Sequence, residues 1–141
     1  MQATRIRTTL SQITERICSG YLPERIVLYR SYAYGAPDPD SDIDLLIVRD
    51  DPGSIMERRL KVRRLLRDII RNLPVSPVVY TPGEVEARLA QGDGFLREIL
   101  EKGKVLYERQ SRWHGRLSTP LILRHILSDS SRHRTSPRNP V

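Results

Sequence analysis

The sequence predicts a small mixed α/β fold of the α+β class, in which helices cover one face of a small sheet. Three observations predict it. Apolar residues near the start recur at helical spacing, two short apolar runs (RIVLY and DIDLLIV) resemble buried strands, and a third (VSPVVY) follows a long helical segment. With 141 residues, 38% of them hydrophobic, the chain is expected to form one domain with a single real core.

The first element is predicted to be an amphipathic helix. Ile6, Leu10, Ile13 and Ile17 are separated by four, three and four positions, which places them on one stripe of a helix. Gly20 follows this stripe and is predicted to end the helix, because glycine readily adopts the conformation that closes a helix.

Two strands with a loop between them are predicted next. Arg25–Tyr29 is a short apolar run rich in β-branched residues, which is typical of a buried strand. Residues 30–41 contain Gly, Pro, Asp and Ser, and predict a loop with room for one helical turn. Asp42–Val48 is the second strand, and its uninterrupted apolar end suits a strand that is covered on both faces.

A second long helix follows a turn at residues 51–53. Ser54 and Glu57 are spaced as a capping box, and apolar residues continue at roughly helical spacing as far as Leu73. Basic residues crowd the other positions, and indicate either a solvated face or a face that binds a polyanion. These residues are Arg58, Arg59, Lys61, Arg63, Arg64 and Arg67.

The remaining elements are shorter. Val75–Tyr80 is predicted to be a third strand, and Pro77 within it favours an edge position because proline has no N–H to donate to a neighbour. Thr81 is a candidate N-cap followed by proline, so a helix is expected there. A helix at Phe95–Lys102 and a last strand at Val105–Tyr107 complete the pattern.

The composition changes at residue 109, which predicts a domain over residues 1–108 and a tail over 109–141. The net charge is +7, yet the tail contributes most of it, with seven Arg and one acidic residue. The tail is expected to be disordered except for a short helix at 120–127. Binding of nucleic acid would therefore depend on the tail, which is the less favoured function.

Composition also excludes several classes of protein. The single cysteine, Cys18, cannot form an internal disulfide, which indicates a reducing and therefore cytoplasmic compartment. No apolar run approaches the ~18 residues of a membrane span, and no leader peptide is visible, so no membrane association is expected.

Two carboxylates carry the main chemical signal. Asp42 and Asp44 begin the second strand, where the alternation of a strand turns both to one face and Ile43 to the other. They repel each other unless a cation lies between them, and their hard oxygen atoms suit Mg²⁺ or Mn²⁺. A phosphate-binding turn at Ser31 would complete the requirements for phosphoryl or nucleotidyl transfer, although two such aspartates alone can be a solvated strand end.

This pattern resembles a known signature. Ser31, ten intervening residues and then Asp42-x-Asp44 at the head of LLIV is similar to the minimal nucleotidyltransferase motif of the DNA polymerase β superfamily. The similarity covers roughly residues 5–108 and includes the stretches VVYTPGEVE and EILEKGKVLYE. The residues that match the motif are Ser31, Ala33, Gly35, Ser41, Asp42, Ile43, Asp44 and Leu45.

The resemblance implies a fold, a reaction and a partner. It implies a palm-like sheet that binds a nucleoside triphosphate, by default ATP, together with Mg²⁺, and transfers a nucleoside monophosphate to a hydroxyl group. Many prokaryotic relatives resemble antitoxins that pair with a HEPN-type toxin. Asp42 and Asp44 match the catalytic, metal-binding carboxylates, and the residues expected at the nucleotide are Arg30, Ser31, Tyr34 and Ser41.

Three positions depart from the family pattern. Arg30 replaces a glycine, Tyr34 replaces an arginine, and Ser76 stands at the position of the third carboxylate. A serine hydroxyl cannot act as a general base or hold a second metal ion as a carboxylate does. The alternative function is therefore a catalytically impaired homologue that serves as a binding or antitoxin module, unless Asp68 or Glu84 replaces the missing carboxylate.

Overall fold

The computed structural model describes residues 2–35, 37, 41–71 and 73–109, with side chains except those of residues 2–4 and of Ser31. The predicted tail and its helix at 120–127 lie outside the described residues. The helices are α1 (Gln2–Tyr21), α2 (Ser31–Tyr34), α3 (Ile55–Leu66), α4 (Pro82–Ala90) and α5 (Gly94–Lys102). The strands are β1 (Arg25–Tyr29), β2 (Ile43–Val48), β3 (Val75–Tyr80) and β4 (Lys104–Glu108).

The strands form one mixed sheet. Among the described residues the strand order is β3-β2-β1-β4. β1 pairs in antiparallel fashion with both β2 and β4, whereas β2 and β3 are parallel. β3 therefore lies at an edge, which confirms the position predicted from Pro77. The predicted mixed α/β class is likewise confirmed.

The helices lie on both faces of the sheet, which corrects the expectation that they cover only one. α1 and α3 pack on one face, and the buried residues Leu96 and Ile99 of α5 pack on the other, with α4 beside them. The central strands explain this arrangement. β1 and β2 carry apolar side chains on both faces of the sheet, and every residue of β2 is buried. One set is Ile26, Leu28, Leu45 and Ile47, and the other is Val27, Tyr29, Leu46 and Val48.

Gly20 has a packing role rather than the predicted stop role. α1 continues past it and ends at Tyr21. A Cβ atom at residue 20 would lie 2.8 Å from Cδ2 of Leu65, so glycine lets α1 approach α3 closely. Most other predicted boundaries hold to within one residue, as where β2 begins at Ile43 rather than Asp42. The exception is α3, which ends at Leu66, well before the predicted Leu73.

Both predicted helix caps are present. The Ser54 hydroxyl accepts a hydrogen bond from the Glu57 backbone N–H at 3.1 Å, and the Glu57 carboxylate accepts one from the Ser54 N–H at 2.9 Å. Thr81 and Glu84 form the same reciprocal pair at the start of α4. These caps satisfy N–H groups that have no partner within the helix, and so fix where α3 and α4 begin.

Arg58 is a buried exception among the arginines of α3. Its side chain is only 3% exposed, although its position in the basic run predicted a surface location. The guanidinium donates hydrogen bonds to the carbonyls of Val79 (2.9 Å) and Gly53 (3.0 Å) and to both oxygens of the Glu84 carboxylate (2.9 and 3.0 Å). Arg58 thus joins α3, β3 and α4 at the end of the sheet where β2 and β3 finish.

Asp51 is a second buried charge at the same end of the sheet. Its carboxylate accepts a hydrogen bond from the Tyr21 hydroxyl at 2.6 Å and from the Lys61 ammonium at 3.2 Å. The Tyr21 hydrogen bond is the largest cause that lowers the pKa of Asp51, and Lys61 and Arg49 lower it further. The pairing joins the end of α1 to the turn that follows β2.

This pairing makes the stability of the fold depend on pH. The ordinary pKa of an aspartate is 3.8, and in the folded chain Asp51 binds its proton only at a pH below that value. The stabilisation is therefore complete above that pH and is lost as the pH falls through the lowered value. We expect urea unfolding of the native chain to show a steeper fall in stability below pH ~4 than unfolding of the Asp51→Asn variant. Parallel curves for the two proteins would contradict this assignment.

Candidate active site

The strand register brings three residues from different parts of the chain into one row. Tyr29 of β1 lies opposite Asp44 of β2, and Asp44 lies opposite Ser76 of β3. Neighbouring strands are about 4.8 Å apart, and paired residues project to the same face of a sheet. Tyr29 belongs to the cluster that packs on α5, so the row lies on the α5 side.

The two predicted carboxylates differ in their surroundings. Asp42 is exposed just before β2, whereas Asp44 is only 7% exposed within the strand. Ile43 between them is buried in the core on the opposite face, as the alternation predicted. Burial raises the pKa of Asp44, Arg30 opposes that shift, and the neighbouring Asp42 adds to it. A cation at this position would stabilise the charged form of Asp44.

A single helical turn follows β1 beside these carboxylates. Arg30 has a positive φ of 63°, and its carbonyl accepts hydrogen bonds from the N–H groups of Ala33 (2.9 Å) and Tyr34 (2.8 Å). The turn predicted within residues 30–41 is therefore α2, and Ser31 is its first residue. Because Tyr29 is paired with Asp44, the turn begins at the same end of the sheet as the carboxylates.

Two aromatic rings hold the Arg30 side chain. The guanidinium carbon lies 5.8 Å from the ring centroid of Tyr29 and 5.7 Å from that of Phe95, within the range of cation–π attraction. The two rings are themselves in edge-to-face contact, with centroids 5.8 Å apart. Phe95 was not predicted from the sequence to be a site residue. The one feature that sets Phe95 apart in the sequence is that it is the only phenylalanine of the chain.

The other predicted site residues are placed less centrally. Tyr34, at the end of α2, is exposed, and Ser41 is half-buried ahead of the two aspartates. Neither proposed substitute for the third carboxylate reaches the row. Asp68 forms an ion pair with Arg16 at 2.8 Å, and Glu84 pairs with Arg58 beyond the far end of β3.

The donor set fits one divalent cation better than two. Asp42 and Asp44 supply hard carboxylate oxygens, which Mg²⁺ and Mn²⁺ prefer. In the part of the chain that the structure describes, no three His, Cys, Asp or Glu side chains come together as a metal site. The position beside Asp44 on β3 is instead Ser76, a neutral hydroxyl.

Comparison with known proteins assigns the family. The sequence profile described as "Nucleotidyltransferase domain" matches residues 10–107, which include β1, α2, β2 and β3 and hence the whole row. The chain belongs to the nucleotidyltransferase domain family. The family assignment supports nucleotidyl transfer as the general activity of this nucleotidyltransferase-like enzyme.

Two individual proteins are similar to this nucleotidyltransferase. A protein of Methanocaldococcus jannaschii named "Putative protein adenylyltransferase" is 29% identical over 107 residues, which are 70% of this chain and 69% of that protein. A crystal structure titled as that of "a putative nucleotidyltransferase" from Sulfolobus solfataricus matches with a TM-score of 0.52 and 21% identity, covering 75% of this chain and 83% of that one. The second likeness shows the fold alone. Among the described residues, none of the helices combines the length and the apolar character that a membrane-spanning segment requires.

Proposed function

We propose that this nucleotidyltransferase moves a nucleoside monophosphate from ATP to a hydroxyl group, with Asp42 and Asp44 holding Mg²⁺ or Mn²⁺. The observation that carries the proposal is the register that sets Asp44 between Tyr29 and Ser76, beside the turn at Arg30 and Ser31. The carboxylates and the turn thus meet at one end of the sheet, as metal and triphosphate must.

In the proposed reaction the acceptor oxygen attacks the α-phosphorus of ATP. A bond forms between that oxygen and the α-phosphorus, the bond to the bridging oxygen of the β-phosphate breaks, and pyrophosphate leaves. The divalent ion supplies charge stabilisation for the triphosphate. Asp42 and Asp44 would hold and orient that ion, whereas Arg30, Ser31, Tyr34 and Ser41 are proposed to position the nucleotide. The acceptor hydroxyl also loses its proton, which passes to solvent water because Ser76 is not a base that can take it.

The position of the label distinguishes this reaction from phosphoryl transfer. The protein is incubated with Mn²⁺, candidate acceptors and ATP that carries its label on either the α- or the γ-phosphate. The proposal expects the α-label on the acceptor and the γ-label in free pyrophosphate. An acceptor that receives only the γ-label would contradict nucleotidyl transfer.

We propose a protein as the acceptor and, with it, a role as a cytoplasmic antitoxin. The M. jannaschii relative is named as a protein adenylyltransferase, which supports a protein hydroxyl as the acceptor. We propose a HEPN-type toxin, modified on a tyrosine, as the partner protein. Co-expression with such a toxin, followed by mass spectrometry, should detect one added nucleoside monophosphate. An unmodified toxin that is nevertheless bound and neutralised would favour a binding module instead.

The binding module is the second candidate, and Ser76 favours it. Because Ser76 is paired with Asp44, the hydroxyl stands where a third carboxylate would complete the site. A general base typically contributes ~10²–10⁴-fold to a rate. The native chain without it would bind nucleotide and partner while turning over slowly.

Restoring a carboxylate tests the importance of this position. We expect Ser76→Asp to raise the rate of α-label transfer by about 10²-fold, because a carboxylate beside Asp44 can accept the acceptor's proton. Ser76→Asn is the matched control, since it has the same shape without the charge, and it should leave the rate at the native level. If Ser76→Asp transferred the label no faster than Ser76→Asn, the absence of a carboxylate at residue 76 would not limit the native rate.

A further inference from the structure

We propose that Arg30 supplies a fixed positive charge beside Asp44, so that the site takes one divalent cation with a nucleoside triphosphate rather than two. This inference deepens the proposed function and depends on it. Arg30 is here a positioning residue for the triphosphate. Its side chain takes over part of the charge that a second ion would otherwise bring.

The first argument is position. Arg30 directly follows Tyr29, and Tyr29 is the residue of β1 that lies opposite Asp44. The guanidinium carbon of Arg30, an exposed residue, lies over the rings of both Tyr29 and Phe95, at 5.8 and 5.7 Å from their centroids. These contacts hold the charge at the same end of the sheet as the carboxylates, on the face where Tyr29 packs.

The second argument is charge. Asp42 and Asp44 bring two negative charges to the row, and Ser76 brings none. A second divalent ion would need a further carboxylate to bind it, and Ser76 does not provide one. A guanidinium carries its positive charge without any such ligand.

The third argument is backbone conformation. Arg30 occupies the left-handed region at φ 63°, which a residue other than glycine adopts only at a cost in free energy. Such a conformation persists only where its surroundings enforce it, and it occurs preferentially at functional sites. Glycine would remove that cost, so the arginine side chain is the feature that requires explanation. The two ring contacts and the proximity to Asp44 provide it.

Counting bound ions tests the proposal directly. The full chain is saturated with an ATP analogue that cannot be cleaved between its α- and β-phosphates, and bound Mn²⁺ is measured by equilibrium dialysis and electron paramagnetic resonance. We expect one Mn²⁺ per chain in the native protein. Two Mn²⁺ per native chain would overturn the proposal.

Removing the Arg30 charge should move two affinities in opposite directions. Arg30→Asn and Arg30→Gly both tolerate a positive φ, so the turn is expected to persist in each. Affinity for the ATP analogue should fall about tenfold with the loss of a charge-assisted contact. Affinity for Mn²⁺ measured without nucleotide should instead rise several-fold, because a like charge near the ion is gone. Arg30→Lys keeps the charge and should stay near native in both measurements.

The outcomes separate this proposal from the one on which it rests. A native chain that binds no ATP analogue, with or without Mn²⁺, would overturn the proposed function and this inference with it. A native chain that binds the analogue together with two Mn²⁺ would leave the proposed function standing and overturn the inference alone. A parallel loss of both affinities in the Arg30 variants would show a structural role only and would also overturn it.

Discussion

Asp44→Asn is expected to reduce α-label transfer by roughly 10³-fold, at the detection limit of most assays. The amide keeps the size of the side chain but removes the negative charge that would hold the divalent ion. Because burial already raises the pKa of Asp44, a neutral side chain is well tolerated there and the fold should not be weakened. Transfer rates are measured at saturating ATP and Mn²⁺.

Asp50→Asn is the matched control for this variant. Asp50 is an exposed carboxylate just beyond the other end of β2, so its loss changes the net charge equally without touching the row. Its transfer rate should remain within about twofold of native. Transfer by Asp44→Asn at the rate of this control would remove Asp44 from the proposed site.

Arg58→Met is expected to lower the free energy of unfolding by about 3 kcal/mol. Methionine fills much of the same volume but leaves the carbonyls of Val79 and Gly53 without the donors that Arg58 provides. The loss of hydrogen bonds costs less at Glu84, because its side chain is 38% exposed and its carboxylate can accept hydrogen bonds from water instead. The change is measured as a lower midpoint in urea unfolding, with the slope of the transition unchanged.

Arg64→Met on the same helix controls for the loss of an arginine. Arg64 is exposed on α3, and its replacement should change stability by no more than about 0.5 kcal/mol. A buried ion pair is sometimes replaced by apolar side chains without loss of stability. If Arg58→Met were as stable as Arg64→Met, the hydrogen bonds of Arg58 would contribute nothing net.

Local signals in the sequence predicted most of the fold. The capping boxes at Ser54 and Thr81 were visible because each depends on two residues three positions apart. The fully apolar end of β2 indicated a strand covered on both faces, and that signal was more reliable than the assignment of all helices to one face. Pro77 indicated the edge strand for an equally local reason, its missing N–H.

Features that depend on contacts between distant segments could not be predicted in the same way. Nothing near Arg58 in the sequence distinguishes it from the exposed arginines beside it, because its partners lie on β3 and α4. Phe95 meets Arg30 only after α5 packs on the sheet. The adjacency of Asp44 and Ser76 depends on the register of two parallel strands, and the family motif predicted the roles of these residues without the distance between them.

The row formed by Tyr29, Asp44 and Ser76 draws on three strands that are far apart along the chain. A small molecule that bridges this row can bind only when all three strands are already assembled. By mass action, such a molecule shifts the whole chain toward its native state, since the unfolded chain offers it no comparable surface. The fraction of chains that hold a molecule at the row and the stability of the sheet against thermal unfolding therefore report the same equilibrium.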